Sequence, residues 1–347
     1  MTNFDLLPLA QVGQTGLRVT RLAFGGVPLG NFPSVLAETD AQAALLAAWD
    51  AGIRYFDVAP LYGHGLAEHR IGSFLRGKRR DDFVLSSKVG RLLKPERTAD
   101  IRADPSAGIF RDPLPFSIIN DYSYDGIMRS VEDSLQRMGL ARIDILHIHN
   151  IDPANHAPEK LEILFSQCMS DGYRALDRLR SDGTVSALGV GNNDLGMCRR
   201  FGSAGDFDCF MMAGHLNLLD QGALAHFLPE CRSKGTTILL GSPFASGLLA
   251  AKNPAQSKYM YDAPSPQILA RVETTRRICE AHGADLIAAA LQYPARHPSV
   301  GAVVPGMRTA EEVRQCVAAF KQPLPEALWR DLESVGTPDP GSGVEGV

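Results

Sequence analysis

Four side chains in this sequence are of the types that add a proton to an oxygen atom or remove one. They are the carboxylate of Asp57, the phenol of Tyr62, the ammonium of Lys88 and the imidazole of His149. Each stands at or just past the C-terminal end of an apolar run typical of a buried strand. In parallel β/α folds, ligand chemistry collects at that end of the strands. We therefore predict that these four residues form one catalytic site.

Tyr62 is the predicted acid–base group, and Lys88 is predicted to adjust its acidity. A free phenol has a pKa of about 10, so proton transfer near neutral pH requires a shift of roughly three units, or about 4 kcal/mol. One ammonium at about 4 Å supplies close to 4 kcal/mol at an effective dielectric of about 20. Considered singly, Tyr62 is typical of a packed tyrosine and Lys88 of a surface lysine. Lys88, however, ends an apolar strand, where a lysine needs a partner such as Asp57.

Two histidines, His147 and His149, are two residues apart, so they point to the same side of their strand. We predict that His149, nearer the strand end, orients the substrate oxygen and that His147 is a packed, hydrogen-bonded histidine one layer deeper. A His-x-His pair also suggests a metallohydrolase, which needs further ligands on later strands. Only His215 is placed to be one, so we predict no metal, and hydrolysis is the least favoured alternative.

The elements that must position these residues are short β-type runs separated by helical segments. We predict strands at 19–24, 54–58, 83–88, 143–148, 185–190, 209–213, 237–241 and 300–304. Helical periodicity predicts helices at 40–51, 67–75, 124–138, 172–180, 195–201, 223–234, 266–282 and 309–320. Eight alternations favour a single α/β domain, a closed parallel (β/α)8 or TIM barrel, over an open sheet.

Three segments fall outside this alternation. Residues 9–19 are predicted to form a β-hairpin that turns at 14–16. Residues 91–121 form a long loop after strand three, which we interpret as a lid or binding loop, with a mobile surface insertion as the alternative. The barrel domain is predicted to span 1–336, and 337–347 to be a flexible tail.

Composition excludes several classes of protein. The 347 residues carry a net charge of −4, which gives no basic surface for nucleic acid or anionic lipid. No run reaches the roughly 18 apolar residues of a membrane helix, and the N-terminus does not resemble a secretion signal. The six cysteines are widely spaced, with no Cys-x-x-Cys pair. We predict a cytoplasmic protein with a small-molecule substrate, and the oligomeric state stays open.

The four residues resemble the catalytic tetrad of the aldo-keto reductases in kind, order and approximate spacing, and the similarity covers nearly the whole chain. Stretches similar to the D-threo-aldose (L-fucose) 1-dehydrogenase branch, which includes pyridoxal 4-dehydrogenase-like members, occur at 121–130, 134–139, 213–214, 218–221, 246–249 and 288–292. The resemblance implies a (β/α)8 barrel, hydride transfer with a nicotinamide dinucleotide bound over the barrel mouth, and Tyr62 as general acid or base. No Gly-x-Gly-x-x-Gly follows the first strand, so a Rossmann site is not expected.

The cofactor-binding residues that follow from this resemblance and from the loops after strands five and seven are Gly25, Gly26, Asn192, Ser242, Phe244, Ser246, Leu248, Gly306, Arg308, Glu312 and Gln315. The expected substrate-contacting residues are Leu29, His64 and His215. For the loop at 241–247, an ordinary Gly/Pro turn is the alternative.

NAD is favoured over NADP because Gly306 and Glu312 stand where NADP-preferring relatives commonly carry basic residues. A carboxylate near a 2′-phosphate would cost roughly 1–4 kcal/mol. The alternative is that Glu312 only completes a helix capping box, and Arg308 still offers a cation for NADP.

The expected activity is an aldose 1-dehydrogenase of the L-fucose type. Departures such as His215-Leu216, where the sugar branch should carry Arg-Tyr, keep two alternatives open: oxidation of the pyridoxal hemiacetal and general aldehyde reduction. The alternative to an enzyme is a regulatory subunit that has the same fold and binds the cofactor.

Overall fold

The computed structural model describes residues 7–97, 109–259 and 262–336. The strands are β1 (Leu9–Gln11), β2 (Arg18–Thr20), β3 (Phe24–Gly25), β4 (Tyr55–Asp57), β5 (Val84–Val89), β6 (Arg91–Pro95), β7 (Phe116–Asn120), β8 (Ile145–His149), β9 (Ala187–Gly191), β10 (Cys209–Ala213), β11 (Thr237–Gly241) and β12 (Val300–Val304). The helices are α1 (Glu38–Asp50), α2 (Leu66–Leu75), α3 (Tyr124–Met138), α4 (Pro158–Gln167), α5 (Tyr173–Ser181), α6 (Leu195–Ala204), α7 (Phe227–Lys234), α8 (Pro266–Ala281), α9 (Leu286–Ala295), α10 (Ala310–Lys321) and α11 (Glu326–Gly336).

Eight of these strands form one parallel sheet in the order β3-β4-β5-β8-β9-β10-β11-β12. Its two edges meet through parallel bridges that pair Leu22 with Val303 and Gly25 with Gly306. Gly25 permits this closure because a Cβ there would lie 2.9 Å from the Pro305 carbonyl oxygen. The predicted (β/α)8 barrel is confirmed.

The predicted first strand at 19–24 is divided between two sheets. Residues 18–20 belong to the N-terminal hairpin, in which Leu9 pairs with Thr20 and Gln11 with Arg18, and the barrel strand begins only at Phe24. The predicted hairpin is therefore confirmed, and the predicted strand was wrong at its start. The hairpin covers the N-terminal end of the barrel, where the Gly13 N–H donates to Thr237 Oγ1 at 2.8 Å.

The insertion after β5 is not a structureless loop in its described part. β6 and β7 pair antiparallel from Arg91 opposite Asn120 to Pro95 opposite Phe116. Its remaining residues at 98–108 lie outside the described chain. The prediction of a long loop is therefore corrected to an insertion with a two-stranded base, while its role as a lid stays a prediction.

The helices differ from the prediction mainly in the second half of the chain. The predicted helix at 172–180 is α5, preceded by the unpredicted α4 and joined to it by a π-helical turn at Cys168–Gly172. The predicted helix at 266–282 is α8, which packs against the unpredicted α11 rather than against the barrel. The helix that packs on β12 is α9, also unpredicted.

Local signals explain where these helices begin and end. Helix α3 spans the predicted 124–138 because Ser123 Oγ accepts the Gly126 N–H at its start and Gly139 adopts φ 63° at its end. Within the described residues, no helix is both long and apolar enough to cross a membrane. The predicted tail at 337–347 lies outside the described chain, and the domain boundary at 336 stays a prediction.

Candidate active site

Lys88 and Asp57 form a buried ion pair inside the barrel. Lys88 Nζ donates to Asp57 Oδ2 at 2.7 Å, to Oδ1 at 2.9 Å and to the Val58 carbonyl oxygen at 3.1 Å. Ser86 Oγ donates to Asp57 Oδ1 at 2.7 Å. Ser86 is a supporting residue that the sequence analysis missed, although its alternation with Lys88 along β5 places both on the inner face.

Tyr62 and His149 complete the same cluster. Lys88 Nζ lies 4.9 Å from the centroid of the Tyr62 ring. The centroids of the Tyr62 and His149 rings are 6.2 Å apart, with the rings at 89° to each other. All four predicted catalytic side chains are thus brought together at the C-terminal end of the barrel strands, and each is buried.

The charge of the cluster resides on Lys88 and Asp57. Burial lowers the pKa of the Lys88 ammonium, but Asp57 and Tyr62 together outweigh burial and hold that pKa above its usual value. Burial raises the pKa of Asp57 more than Lys88 and Ser86 lower it. Because Nζ contacts both carboxylate oxygens, we treat the pair as ionised, which places a fixed cation beside the Tyr62 phenol.

His149 is held in its neutral form. Burial, followed by the nearby cations of Arg91 and Lys88, lowers the pKa of His149 well below its usual value. Its Nδ1 is buried without a hydrogen-bond partner among the described residues. The hydroxyl of Tyr122 donates to the His149 carbonyl oxygen, and burial raises the pKa of Tyr122 to about 12, so it remains a donor.

His147 lies deeper in the barrel, as its spacing predicts. The predicted hydrogen bond is not found, because both ring nitrogens are buried without a partner among the described residues. It pairs in register with Lys88 on one side and with Gly189 on the other. A Cβ on Gly189 would clash with His147 Nδ1 and lie 2.8 Å from Cys209 Sγ. The glycine on β9 therefore makes room for the histidine, a requirement that sequence reasoning missed although glycines alternate along that strand.

The insertion after β5 contributes to the wall of the site. The ring centroid of Phe110 lies 6.2 Å from that of Tyr62, and the Leu114 N–H donates to the Gly63 carbonyl oxygen at 3.1 Å. His64 Nδ1 contacts the Phe116 carbonyl oxygen at 2.5 Å. Tyr62 and His64 were singled out from the sequence, and the other residues were predicted only as part of the loop at 91–121. The described part of the insertion therefore reaches the site.

The predicted substrate residue Leu29 lies in the loop that follows β3. Arg70, which is buried, donates to the carbonyl oxygens of Leu29 and Leu36 at 2.7 Å each. It also pairs with Glu38 at 2.8 Å. Arg70 was not identified from the sequence, and it fixes the loop in which Leu29 lies.

His215 has both ring nitrogens occupied by protein partners. Nδ1 lies 3.1 Å from Asp220 Oδ2, and Nε2 lies 2.9 Å from the Asn193 carbonyl oxygen. The hydrogen bond with Asp220 raises the pKa of His215. Only the face of the His215 ring is left to contact a ligand. The predicted substrate contact of His215 therefore stays a prediction, and it would be made by stacking of the ring.

The predicted cofactor residues after β9 and β11 make hydrogen bonds within their own loops or to neighbouring loops. Asn192 is buried, with Nδ2 donating to the Ile151 carbonyl oxygen at 3.0 Å and Oδ1 accepting the Asp194 N–H at 2.9 Å. Ser242 and Ser246 both adopt positive φ, and Ser242 Oγ accepts the Ser246 N–H at 3.1 Å. These contacts hold the loops in shape.

Other predicted cofactor residues have structural tasks of their own. Leu248 is fully buried in an apolar cluster, so only its backbone can reach a ligand, whereas Phe244 is partly buried beside that cluster. A Cβ on Gly26 would lie 2.5 Å from the Asp57 carbonyl oxygen, which by itself explains the glycine.

The residues predicted to select NAD lie together at the start of α10. Thr309 Oγ1 accepts the Glu312 N–H at 3.1 Å, and Glu312 Oε2 accepts the Arg308 N–H at 2.6 Å. Arg308 Nη2 donates to the carbonyl oxygens of Ser34 and Val35 at 3.1 and 3.2 Å. The capping contact of Thr309 and Glu312 is therefore present. Gln315, one turn further, donates to Glu311 Oε1 at 3.1 Å.

Comparison with known proteins agrees with this architecture. A sequence profile described as the Aldo/keto reductase family matches residues 21–337. The chain belongs to the aldo/keto reductase family. It is therefore an oxidoreductase that acts on CH–OH donors with a small-molecule substrate, and its family uses nicotinamide cofactors.

Two relatives are similar along almost their entire length. A pyridoxal 4-dehydrogenase of Microbacterium luteolum is 39% identical over 331 residues, covering 94% of this chain and 96% of the relative. A D-threo-aldose 1-dehydrogenase of a Pseudomonas species is 36% identical over 318 residues, covering 91% and 94%. These are the two activities named for the predicted branch.

A solved structure has the same fold. The holo form of an aldo-keto reductase from Bacillus halodurans superposes with a TM-score of 0.74 at 22% identity, covering 95% of this chain and 97% of that one. In the described part of this chain, no group of three or more His, Cys, Asp or Glu side chains could hold a metal ion. The absence of a metal stays a prediction.

Proposed function

We propose that this aldo-keto reductase oxidises the hydroxyl group of a cyclic hemiacetal to a lactone, with Tyr62 as general base. Both relatives support this class, since pyridoxal and aldoses each form cyclic hemiacetals. The observation that carries the proposal is the buried cluster in which Lys88 Nζ lies between Asp57 and the Tyr62 ring.

Each residue of the cluster has a separate task in this proposal. Lys88, fixed by Asp57, favours the ionised form of the Tyr62 phenol by charge attraction. Tyr62 Oη then takes the proton from the substrate hydroxyl as the C–H bond breaks. Neutral His149 donates a hydrogen bond to the same oxygen and orients it. A bound nicotinamide supplies the acceptor for the hydride that leaves the carbon.

The residues around the cluster fit a nicotinamide cofactor. In the turn at 242–247, Ser242, Ala245 and Ser246 adopt positive φ, and Gly241 at the barrel mouth carries no side chain. Ser242, Phe244, Ser246 and Asn192 remain our candidates for contacts with this group.

We predict that Tyr62→Phe abolishes turnover while the cofactor still binds. Removing the proton acceptor should lower kcat by about 10²–10⁴-fold, because the ring and its packing stay in place. Turnover is measured by NADH absorbance with pyridoxal and L-fucose, and binding by quenching of protein fluorescence on titration with NADH. Turnover at the wild-type rate would refute the mechanism.

We propose NAD as the preferred cofactor because the carboxylate of Glu312 lies at the start of α10 and Arg308 is tied to Ser34 and Val35. Glu312→Lys should raise kcat/KM for NADP relative to NAD by about tenfold or more. The matched control is Glu311→Lys, since Glu311 faces Arg314 instead. Equal ratios in wild type and both variants would contradict this assignment.

A further inference from the structure

Arg91, at the start of the insertion, is a buried cation for which the described residues supply no carboxylate within ion-pair distance. Its side chain is 6% exposed. Nη2 donates to Asn155 Oδ1 at 3.1 Å and weakly to the Asn150 carbonyl oxygen at 3.5 Å. The guanidinium also interacts with the Tyr122 hydroxyl, and Nε is buried without a partner. A buried guanidinium that faces only neutral acceptors is costly, because its lost hydration is not replaced by an opposite charge.

Three more unsatisfied polar atoms lie around Arg91. Asn120, its partner in register on β7, has a buried Oδ1 without a hydrogen bond. His156 Nε2 and His149 Nδ1 are likewise buried and unpartnered. We call Arg91, Asn120, His149 and His156 the Arg91 corner. Buried polar atoms are nearly always hydrogen-bonded in native proteins. Arg91 Nε is a donor and Asn120 Oδ1 is an acceptor, so an anionic oxygen would pair with Arg91, whereas Asn120 Oδ1 would pair with a hydroxyl group.

The four residues of the Arg91 corner contain one cation, and the nearest charge of opposite sign is the buried carboxylate of Asp152, which acts to raise the pKa of His156. Burial is the largest influence on both histidines, and Arg91 adds to it by lowering the pKa of His149 and of His156. Both rings are therefore neutral near pH 7, and Arg91 is the cation of the corner. A guanidinium binds carboxylate and phenolate oxygens better than neutral ones, because charge-assisted hydrogen bonds are stronger.

The corner adjoins the reacting groups. Arg91 is three residues after Lys88, and it contacts the carbonyl oxygen of Asn150, the residue that follows His149. A substrate whose reacting oxygen lies between Tyr62 and His149 can therefore extend a neighbouring group towards Arg91. His149 therefore belongs both to the reacting cluster and to the corner, and it is close enough to Arg91 for the guanidinium to lower its pKa.

We propose that the Arg91 corner is a substrate subsite for an anionic oxygen, phenolate or carboxylate, carried close to the reacting carbon. The proposal rests on the proposed function and narrows its substrate class. Pyridoxal carries a phenolic oxygen on the ring carbon next to the one that bears its aldehyde, whereas neutral aldoses carry no acidic group there. Among cyclic hemiacetals, the corner favours substrates with such an acidic oxygen.

The test compares two aldehydes in the reducing direction, with NADH: 2-formylbenzoate, which carries an anionic group beside the reacting carbon, and its methyl ester, which carries a neutral one. In wild type, kcat/KM should be about 10- to 100-fold higher for the carboxylate. Arg91→Gln should remove this preference, and Arg91→Lys should keep part of it. The control Arg129→Gln, on the exposed face of α3, should leave it unchanged.

Two outcomes would overturn the inference: no preference in wild type, or an equal loss on both aldehydes in Arg91→Gln. The second would mean that Arg91 only fixes the chain after β8. If the enzyme turns over none of the two aldehydes, pyridoxal and L-fucose, the proposed function fails. The subsite is then tested by ligand binding alone. Calorimetric titration with benzoate and benzamide should still show a preference for benzoate in wild type that Arg91→Gln lacks. The absence of this difference would refute the subsite.

Discussion

At the scale of single residues, the central feature is an ion pair that water scarcely reaches. The side chains of Lys88 and Asp57 are each 3% exposed. Removing one partner of a buried pair leaves the other charge without compensation, which costs more than removing both. The pair is therefore a structural requirement of the barrel as well as the proposed source of Tyr62 acidity.

We predict that Lys88→Met lowers the free energy of unfolding by about 3–5 kcal/mol. The double variant Asp57→Asn with Lys88→Met should recover part of this loss, because no buried charge then remains. Urea unfolding followed by circular dichroism gives both values. A double variant less stable than Lys88→Met would show that the pair is not held by its charges.

At the scale of elements, β9 shows how one strand makes room for the side chains of another. Gly189 faces His147, and a Cβ on Gly191 would lie 3.5 Å from Lys88 Cε and 3.6 Å from His147 Cβ. Strand β9 therefore carries glycine at the position where β8 carries the large side chain of His147. Interdigitation of this kind fills the interior of a barrel with side chains.

Gly189→Ala should therefore destabilise the barrel by about 1–3 kcal/mol, the usual cost of overpacking a core. Gly16→Ala, in the turn of the hairpin, is the matched control because nothing lies within 4 Å of its Cβ position and its φ is not positive. Midpoints of thermal unfolding compare the two. Equal midpoints would mean that His147 moves aside without cost.

At the scale of the whole molecule, the barrel encloses two neutral histidines. Burial and the Lys88 charge lower the pKa of His147 well below its usual value, as burial and nearby cations do for His149. In the unfolded chain, each histidine takes up a proton as the pH falls through about 6.5. The folded chain does not, so acid favours unfolding through both groups.

Stability should thus fall below about pH 6.5 by up to about 1.4 kcal/mol per pH unit for each buried histidine. His147→Leu should reduce this slope by one such contribution, whereas His69→Gln, on the exposed side of α2, should not. Urea unfolding at several pH values between 5 and 8 measures the slope. A slope unchanged in His147→Leu would contradict the assignment.

Much of the fold was predictable because it depends on neighbouring residues. The period of apolar residues set most barrel strands, and Ser123 and Gly139 set the ends of α3. The division of 19–24 was not predictable, because Arg18 and Thr20 pair with Leu9 and Gln11 instead of with a barrel strand. Helix α9 was missed because its Ala-rich sequence, buried on most sides, lacks the polar face of a surface helix.

By itself, the sequence determined which residue types stand at the strand ends. Because the C-terminal ends of parallel strands meet at one edge of a barrel, it also determined that Asp57, Tyr62, Lys88 and His149 would converge. The tertiary structure decided what surrounds them. Arg91, Asn120 and His156 meet only because the insertion folds back beside the chain after β8, and Gly189 matters only because His147 lies opposite it. Local sequence patterns determine the direction in which a side chain points. Its contact partners come from segments that are distant in sequence, and tertiary packing alone determines which segments these are.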